Sequence, residues 1–117
     1  MLRNVNLYSK YVLDAVKCIK AHIDSTPFQY KTAAALLENV STPNRSSVEK
    51  AFKEVYGTGI KEYQVRVRLA AAKQFLESGM TKKQIAHKCY YSCQASFCRA
   101  FKKEFGITPT EWLNTYH

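Results

Sequence analysis

The chain has 117 residues, 46% of them hydrophobic, and 18 Lys and Arg against nine Asp and Glu give it a formal charge of +9. That length holds one domain or two very small subdomains and excludes a multi-domain enzyme; the charge points to nucleic acid, an anionic membrane or an acidic protein as partner. No apolar run reaches the about 18 residues of a spanning helix, and the opening MLRNVNLYSK lacks the apolar core of a secretory signal, so a cytoplasmic protein without membrane attachment is expected.

Residues 1–8 carry no pattern. From Ser9 onward Val12, Val16, Ile19 and Ile23 recur at helical spacing with Lys10, Lys17 and Lys20 elsewhere on the wheel, which predicts an amphipathic helix over 9–24, stopped by Asp24-Ser25-Thr26-Pro27. Two starts compete for the next helix. Thr26-Pro27-Phe28-Gln29 has capping-box spacing with proline at the first helical position, and Thr32 stands directly before Ala33-Ala34-Ala35-Leu36-Leu37. Asn39, tolerant of left-handed backbone, leads into the turn-rich Val40-Ser41-Thr42-Pro43-Asn44.

Asn44 reads as the N-cap of a third helix, Arg45–Tyr56, closed by Gly57. Its stripe is Val48, Ala51, Phe52 and Val55, with Arg45, Ser46, Glu49, Lys50 and Lys53 facing away. Beyond Gly59 a long connecting helix runs from Ile60 to about Glu77 and ends at Ser78-Gly79. Val65, Leu69, Ala72 and Leu76 form one apolar line on it, and Tyr63, Val67 and Ala71 another. Arg68, lodged between Val67 and Leu69, is expected to be partly buried and to need a carboxylate partner.

Thr81-Lys82-Lys83-Gln84 opens the next segment with another capping-box spacing, and Ile85 and Ala86 follow in a short leading helix. After a turn, a second helix ending at Gly106 buries Phe97, Ala100, Phe101 and Phe105 and turns Gln94, Ser96, Arg99, Lys102 and Lys103 outward. Between Thr81 and Lys103 there is no Asp or Glu. Thr108-Pro109-Thr110-Glu111 then caps a final short helix carrying Trp112, expected in the core.

The two halves repeat. A shift of 49 residues carries Val48 onto Phe97, Lys50 onto Arg99, Ala51-Phe52-Lys53 onto Ala100-Phe101-Lys102, Gly57 onto Gly106, Glu62 onto Glu111 and Tyr63 onto Trp112. Ala35, Asn39 and Val40 match Ala86, Tyr90 and Tyr91 at a shift of 51, so the first turn is expected to be about two residues longer. The fold read from this is all-α, with seven helices forming two helix-turn-helix subdomains, 9–57 and 80–117, joined by a linker helix over 58–79.

Cys89, Cys93 and Cys98 lie near His87, but their spacing fits a zinc site poorly; with Cys18 they are expected to be reduced thiols, redox sensitivity at Cys93 or Cys98 being the next reading. No metal or cofactor is expected. Arg99 has the donors for guanine O6 and N7, Gln94 can pair bidentately with adenine, and Lys50 can reach guanine acceptors. Lys53, Lys82, Lys83, Lys102 and Lys103 are better placed to neutralise phosphates. Glu49 can accept from cytosine N4 or form a helix salt bridge with Lys53 at i+4.

The second unit, Ile85-Ala86-(x3)-Tyr90-Tyr91-(x5)-Phe97-x-Arg99-x-Phe101-Lys102-(x3)-Gly106-(x2)-Pro109, resembles the signature of the AraC/XylS-type transcription regulators, and Arg68-Leu69-x-x-Ala72-(x3)-Leu76 resembles that family's linker helix. The likeness covers about residues 9–114. It implies two recognition helices in successive major-groove segments on one face of double-stranded DNA, with Arg45, Ser46, Glu49 and Lys50 facing bases from the first unit and Gln94, Ala95, Ser96 and Arg99 from the second. It also implies a monomeric DNA-binding domain, with RNA polymerase as a further expected partner. Two departures stand out. Tyr90 occupies a place where the family carries glycine, and bulky residues avoid positive φ; the first turn is longer and contains Pro43. Among rival functions, a methyl-accepting repair enzyme needs an activated cysteine in its own motif, which is missing, and a basic protein-interaction or anionic-surface module explains the charge but not the repeat.

Overall fold

The computed structural model describes residues 8–40 and 44–116. All regular structure among them is helical: α1 (Lys10–Ser25), α2 (Ala33–Asn39), α3 (Arg45–Tyr56), α4 (Ile60–Glu77), α5 (Lys82–Lys88), α6 (Gln94–Phe105) and α7 (Pro109–Tyr116). The chain divides into two compact units between Val65 and Arg66, inside α4. The longer turn expected at Pro43 lies outside the described residues.

Most helix starts are fixed by a side-chain oxygen that takes up an amide the first turn leaves without a partner. Ser9 Oγ accepts from Val12 N–H at 3.2 Å, Thr32 Oγ1 from Ala35 N–H at 3.0 Å and Asn44 Oδ1 from Ser47 N–H at 3.0 Å. The choice between Thr26 and Thr32 is thereby settled for Thr32, while Gln29 N–H closes a turn onto Thr26 O at 3.2 Å. Asn39 does not adopt left-handed backbone. It ends α2 by donating its side-chain amide to Ala35 O at 2.8 Å, and Val40 leaves in an extended conformation. Two full capping boxes open α5 and α7: Thr81 with Gln84 at 2.9 and 3.1 Å, and Thr108 with Glu111 at 3.0 and 3.1 Å.

In the first unit α1 packs on α3, and Val16, Ile19, Val48 and Phe52 are fully buried with Leu36 of α2. The first turn of α4 is tied to α1, where the Tyr63 hydroxyl donates to Asp24 and Lys20 Nζ lies 2.7 Å from the other carboxylate oxygen. Hydrogen bonds to Asp24 and Tyr63 push the Lys20 ammonium up to about 12. Gln64, a buried polar residue, donates to Tyr30 O at 3.2 Å.

The second unit is built on aromatic pairs. Phe97 and Phe101 meet edge-on at 5.9 Å, Phe101 and Phe105 at 4.7 Å, and Trp112 is buried as expected. Leu69, Ala72 and Leu76 of α4 and Ile85 and Ala86 of α5 complete this core, while Val65, Tyr63, Val67 and Ala71 are only half-buried. Lys73 Nζ sits 3.8 Å from the Phe105 ring centre, covering the edge of the cluster with a charge that keeps its head near solvent.

Candidate nucleic-acid interface

In the first unit α2 and α3 are the two helices of a helix-turn-helix, and the buried stripe of α3 fixes its outward side. Arg45, Ser46, Glu49, Lys50 and Lys53 are all exposed on it. Glu49 pairs with Arg45 rather than with Lys53: Arg45 Nε lies 3.0 Å from Glu49 Oε1, both side chains about half exposed at 51% and 50%. Beside α3 is a cleft of about 410 Å³ walled by Arg45, Lys50 and Lys53 and, from the first turn of α4, by Lys61 and Glu62. Lys61 was missed in the sequence because only the packing of α4 beside α3 brings it there.

The second unit repeats the arrangement with α5, a three-dimensional turn at Cys89-Tyr90-Tyr91, and α6. Tyr90 takes the left-handed conformation its glycine-like place demands, φ 68°. Tyr91 N–H bonds Ala86 O at 2.9 Å and Tyr90 N–H bonds His87 O at 3.1 Å, the two bonds of a Schellman turn. Gly79 does the same at the end of α4 with φ 93°. What accompanies Tyr90 is a cation: the Arg68 guanidinium lies 4.7 Å from its ring centre, and Arg68 is only 5% exposed. Burial draws the Arg68 pKa below its ordinary value, opposed by the neighbouring Tyr90 and Cys89. Burial also pushes the Cys89 thiol up to about 11, leaving it a neutral core residue.

On α6, Gln94, Ala95, Arg99, Lys102 and Lys103 are exposed and Ser96 half-buried. Arg99 Nη2 donates to Ser96 Oγ at 3.4 Å, and Ser96 Oγ lies 3.3 Å from Cys93 Sγ. Cys93 caps α6 by position only, with no side-chain capping bond. Its sulfur still responds to what surrounds it: the Ser96 hydroxyl, 3.3 Å away, pulls the thiol below its ordinary pKa. Glu104, the acid of this helix, is drawn off to Arg66 at 3.5 Å. Lys83 is exposed, whereas Lys82 is half-buried and donates to Thr110 Oγ1 at 2.8 Å, linking the starts of α5 and α7. Between α5 and the start of α6 a hollow of about 290 Å³ is lined by Lys83, His87, Ser92, Cys93 and Gln94. His87, weighed in the sequence only as a metal ligand, thus stands beside the Lys83 ammonium, the Ser92 hydroxyl and the Gln94 amide. Among the described residues no three His, Cys, Asp or Glu side chains converge on a metal position, and no helix is long and apolar enough to cross a membrane.

Two helix-turn-helix units, each holding its second helix by a buried apolar stripe and presenting basic and amide side chains outward, define a DNA-binding domain of the helix-turn-helix class. Known proteins agree. A family described as a helix-turn-helix domain matches residues 42–115. The probable transcriptional regulator LumQ of Photobacterium leiognathi is 34% identical over 85 residues, 72% of this chain and 34% of that protein. A Streptomyces lividans protein described as an AraC-like transcription regulator is 32% identical over 102 residues, 86% of this chain and 32% of that protein. The crystal structure of a probable AraC family transcriptional regulator from Rhodopseudomonas palustris CGA009 superimposes with a TM-score of 0.73 at 25% identity, covering 87% of this chain and 96% of that one. The chain belongs to the AraC-type helix-turn-helix family of transcription-regulator DNA-binding domains, and its family makes it a DNA-binding module rather than an enzyme. It spans about a third of the length of these two curated relatives.

Proposed function

We propose that the chain reads an asymmetric double-stranded DNA site as a monomer, α3 and α6 entering successive major-groove segments on one face of the duplex. The observation that carries this reading is the repeat made physical: Phe52 and Phe101, 49 residues apart, are both fully buried, and each fixes a helix whose opposite side is exposed and basic. From that side Arg45, Ser46, Glu49 and Lys50 in the first unit and Gln94, Ala95, Ser96 and Arg99 in the second face base edges. Lys53, Lys83, Lys102 and Lys103 neutralise phosphates, Lys61 joins them from the cleft, and His87 offers a ring nitrogen for hydrogen bonding from the hollow. Lys82, held by Thr110, meets phosphate from a fixed position.

RNA polymerase is the proposed protein partner, and the cytoplasm the proposed location; transcription with purified polymerase tests the former. The central experiment is selection of bound sites from a random duplex library. The expected result is one asymmetric motif with two blocks of base preference about 10 base pairs apart, bound one protein per duplex. A palindromic motif bound by two copies would overturn the monomer reading. Absence of any enriched sequence, with equal binding to anionic vesicles, would replace DNA reading by general anion binding.

A further inference from the structure

Each reading helix contains one arginine, and in each the guanidinium is already held by a neighbour on the same helix. In α3 the contact is an ion pair, Arg45 Nε to Glu49 Oε1 at 3.0 Å. In α6 it is a hydrogen bond, Arg99 Nη2 to Ser96 Oγ at 3.4 Å, with Ser96 Oγ in turn 3.3 Å from Cys93 Sγ. The two devices did not arise from the repeat. At the shift of 49 that relates the units, Arg45 falls on Gln94 and Arg99 on Lys50, while Glu49 falls on Cys98 and Ser96 on Ser47. Two different chemistries, acid at i+4 and hydroxyl at i−3, therefore reach the same end independently.

We propose that Glu49 and Ser96 are positioning residues that pre-orient Arg45 and Arg99 for guanine edges, rather than readers of bases in their own right. The inference rests on the DNA reading proposed above and reassigns two of its eight base-facing residues. Physically, an exposed arginine has many rotamers to lose on binding, and a partner that restricts them beforehand lowers that loss. The Glu49 contact engages Nε, which leaves the two terminal nitrogens free for guanine O6 and N7. The Ser96 contact occupies one proton of Nη2 and leaves the rest of the fork available. Glu49 has a second effect, because its carboxylate repels phosphate. It therefore trades general affinity for discrimination.

The test measures binding to the selected duplex and to each of its single base-pair variants. The proteins are wild type, Arg45→Ala, Glu49→Gln, Arg99→Ala, Ser96→Ala, Ser96→Thr and the two double variants Arg45→Ala/Glu49→Gln and Arg99→Ala/Ser96→Ala. Glu49→Gln is expected to lower discrimination by roughly three- to tenfold at the base pair where Arg45→Ala abolishes it, and to tighten binding to random DNA. Ser96→Ala is expected to lower discrimination to a similar extent at the Arg99 base pair, and Ser96→Thr to restore it. In the arginine-less backgrounds neither second substitution should change base preference further. If Glu49→Gln or Ser96→Ala alters a different base pair, or keeps its effect without its arginine, the residue reads a base itself and the positioning role is wrong. A wild-type chain with no preferred duplex would overturn the DNA reading and this inference with it.

Discussion

The left-handed tyrosine in the second turn gives a stability prediction whose parts can be separated. Holding a non-glycine residue at φ 68° costs roughly 1–2 kcal/mol, and the buried Arg68 guanidinium 4.7 Å from the exposed Tyr90 ring returns roughly 0.5–2 kcal/mol. Tyr90→Gly removes both terms, so its stability is expected within about 1 kcal/mol of wild type. Tyr90→Ala keeps the backbone cost and loses the ring, and is expected to fall below Tyr90→Gly by roughly 1 kcal/mol. Arg68→Met combined with Tyr90→Ala should show coupling of roughly 0.5–2 kcal/mol, since each single change already breaks the same contact. Urea unfolding of wild type, the three single variants and the double variant, followed by helicity and by Trp112 fluorescence, supplies the numbers. Equal stability of Tyr90→Ala and Tyr90→Gly would show that the turn stores no backbone strain. Additive Arg68 and Tyr90 effects would show that the ring and the cation do not support each other.

Other consequences are more direct. Thr108→Ala removes the hydroxyl that accepts from Glu111 N–H, leaving the bond from the backbone amide to the Glu111 carboxylate, and should cost about 1 kcal/mol at neutral pH by thermal unfolding. Because the Thr108 amide first, and its hydroxyl second, hold the Glu111 carboxyl below its ordinary pKa, that stabilisation is present above the unfolded glutamate pKa and lost as pH falls through the lower folded one; the loss in acid should be absent in Glu111→Gln. Cys89 has the opposite sign. Its thiol is raised by burial, so the folded state holds its proton longer, and stability should fall between about pH 9 and 11, by up to roughly 2 kcal/mol, with the slope reduced in Cys89→Ala. On the selected duplex Arg99→Ala should cost roughly 1–3 kcal/mol and relax choice at one base pair, whereas Lys103→Ala and Lys61→Ala should weaken cognate and scrambled duplexes alike and each lower the salt slope by about one. A change of sequence preference in Lys103→Ala would reverse the roles assigned along α6.

Helices announced by complete local signals were legible in the sequence. Asn44 and Gly57 bound α3 where expected, and Ser78-Gly79 closes α4 with a left-handed glycine. The start of α2 was not, because Thr26 and Thr32 offer the same local chemistry and only the turn from Gln29 to Thr26 separates them. Burial of Gln64 escaped notice for another reason: its partner is the carbonyl of Tyr30, 34 residues away, and nothing near Gln64 signals it. Arg68 was legible as a buried charge, yet the ring beside it comes from a turn on another element. For the interface, helix phase sufficed to place the outward residues of α3 and, Ser96 excepted, of α6. Glu49 shows the limit of spacing, since Arg45 and Lys53 lie equally far from it along the helix and only side-chain geometry selects Arg45.

The bare start of α6 has a consequence in time rather than in structure. The helices on either side of it, α5 and α7, begin with both donors of a capping box taken up by oxygen, whereas α6 begins at a cysteine whose sulfur is a weak acceptor and makes no capping bond. Its leading amides are therefore expected to open to solvent more readily than those of its neighbours, and on the proposed reading the duplex would supply their acceptor. Deuterium uptake at Ala95 and Ser96 should be fast in the free chain and slow on the duplex, while uptake at the start of α5 and α7 barely changes. One turn of backbone thus works as a clock for occupancy, readable without altering a single side chain.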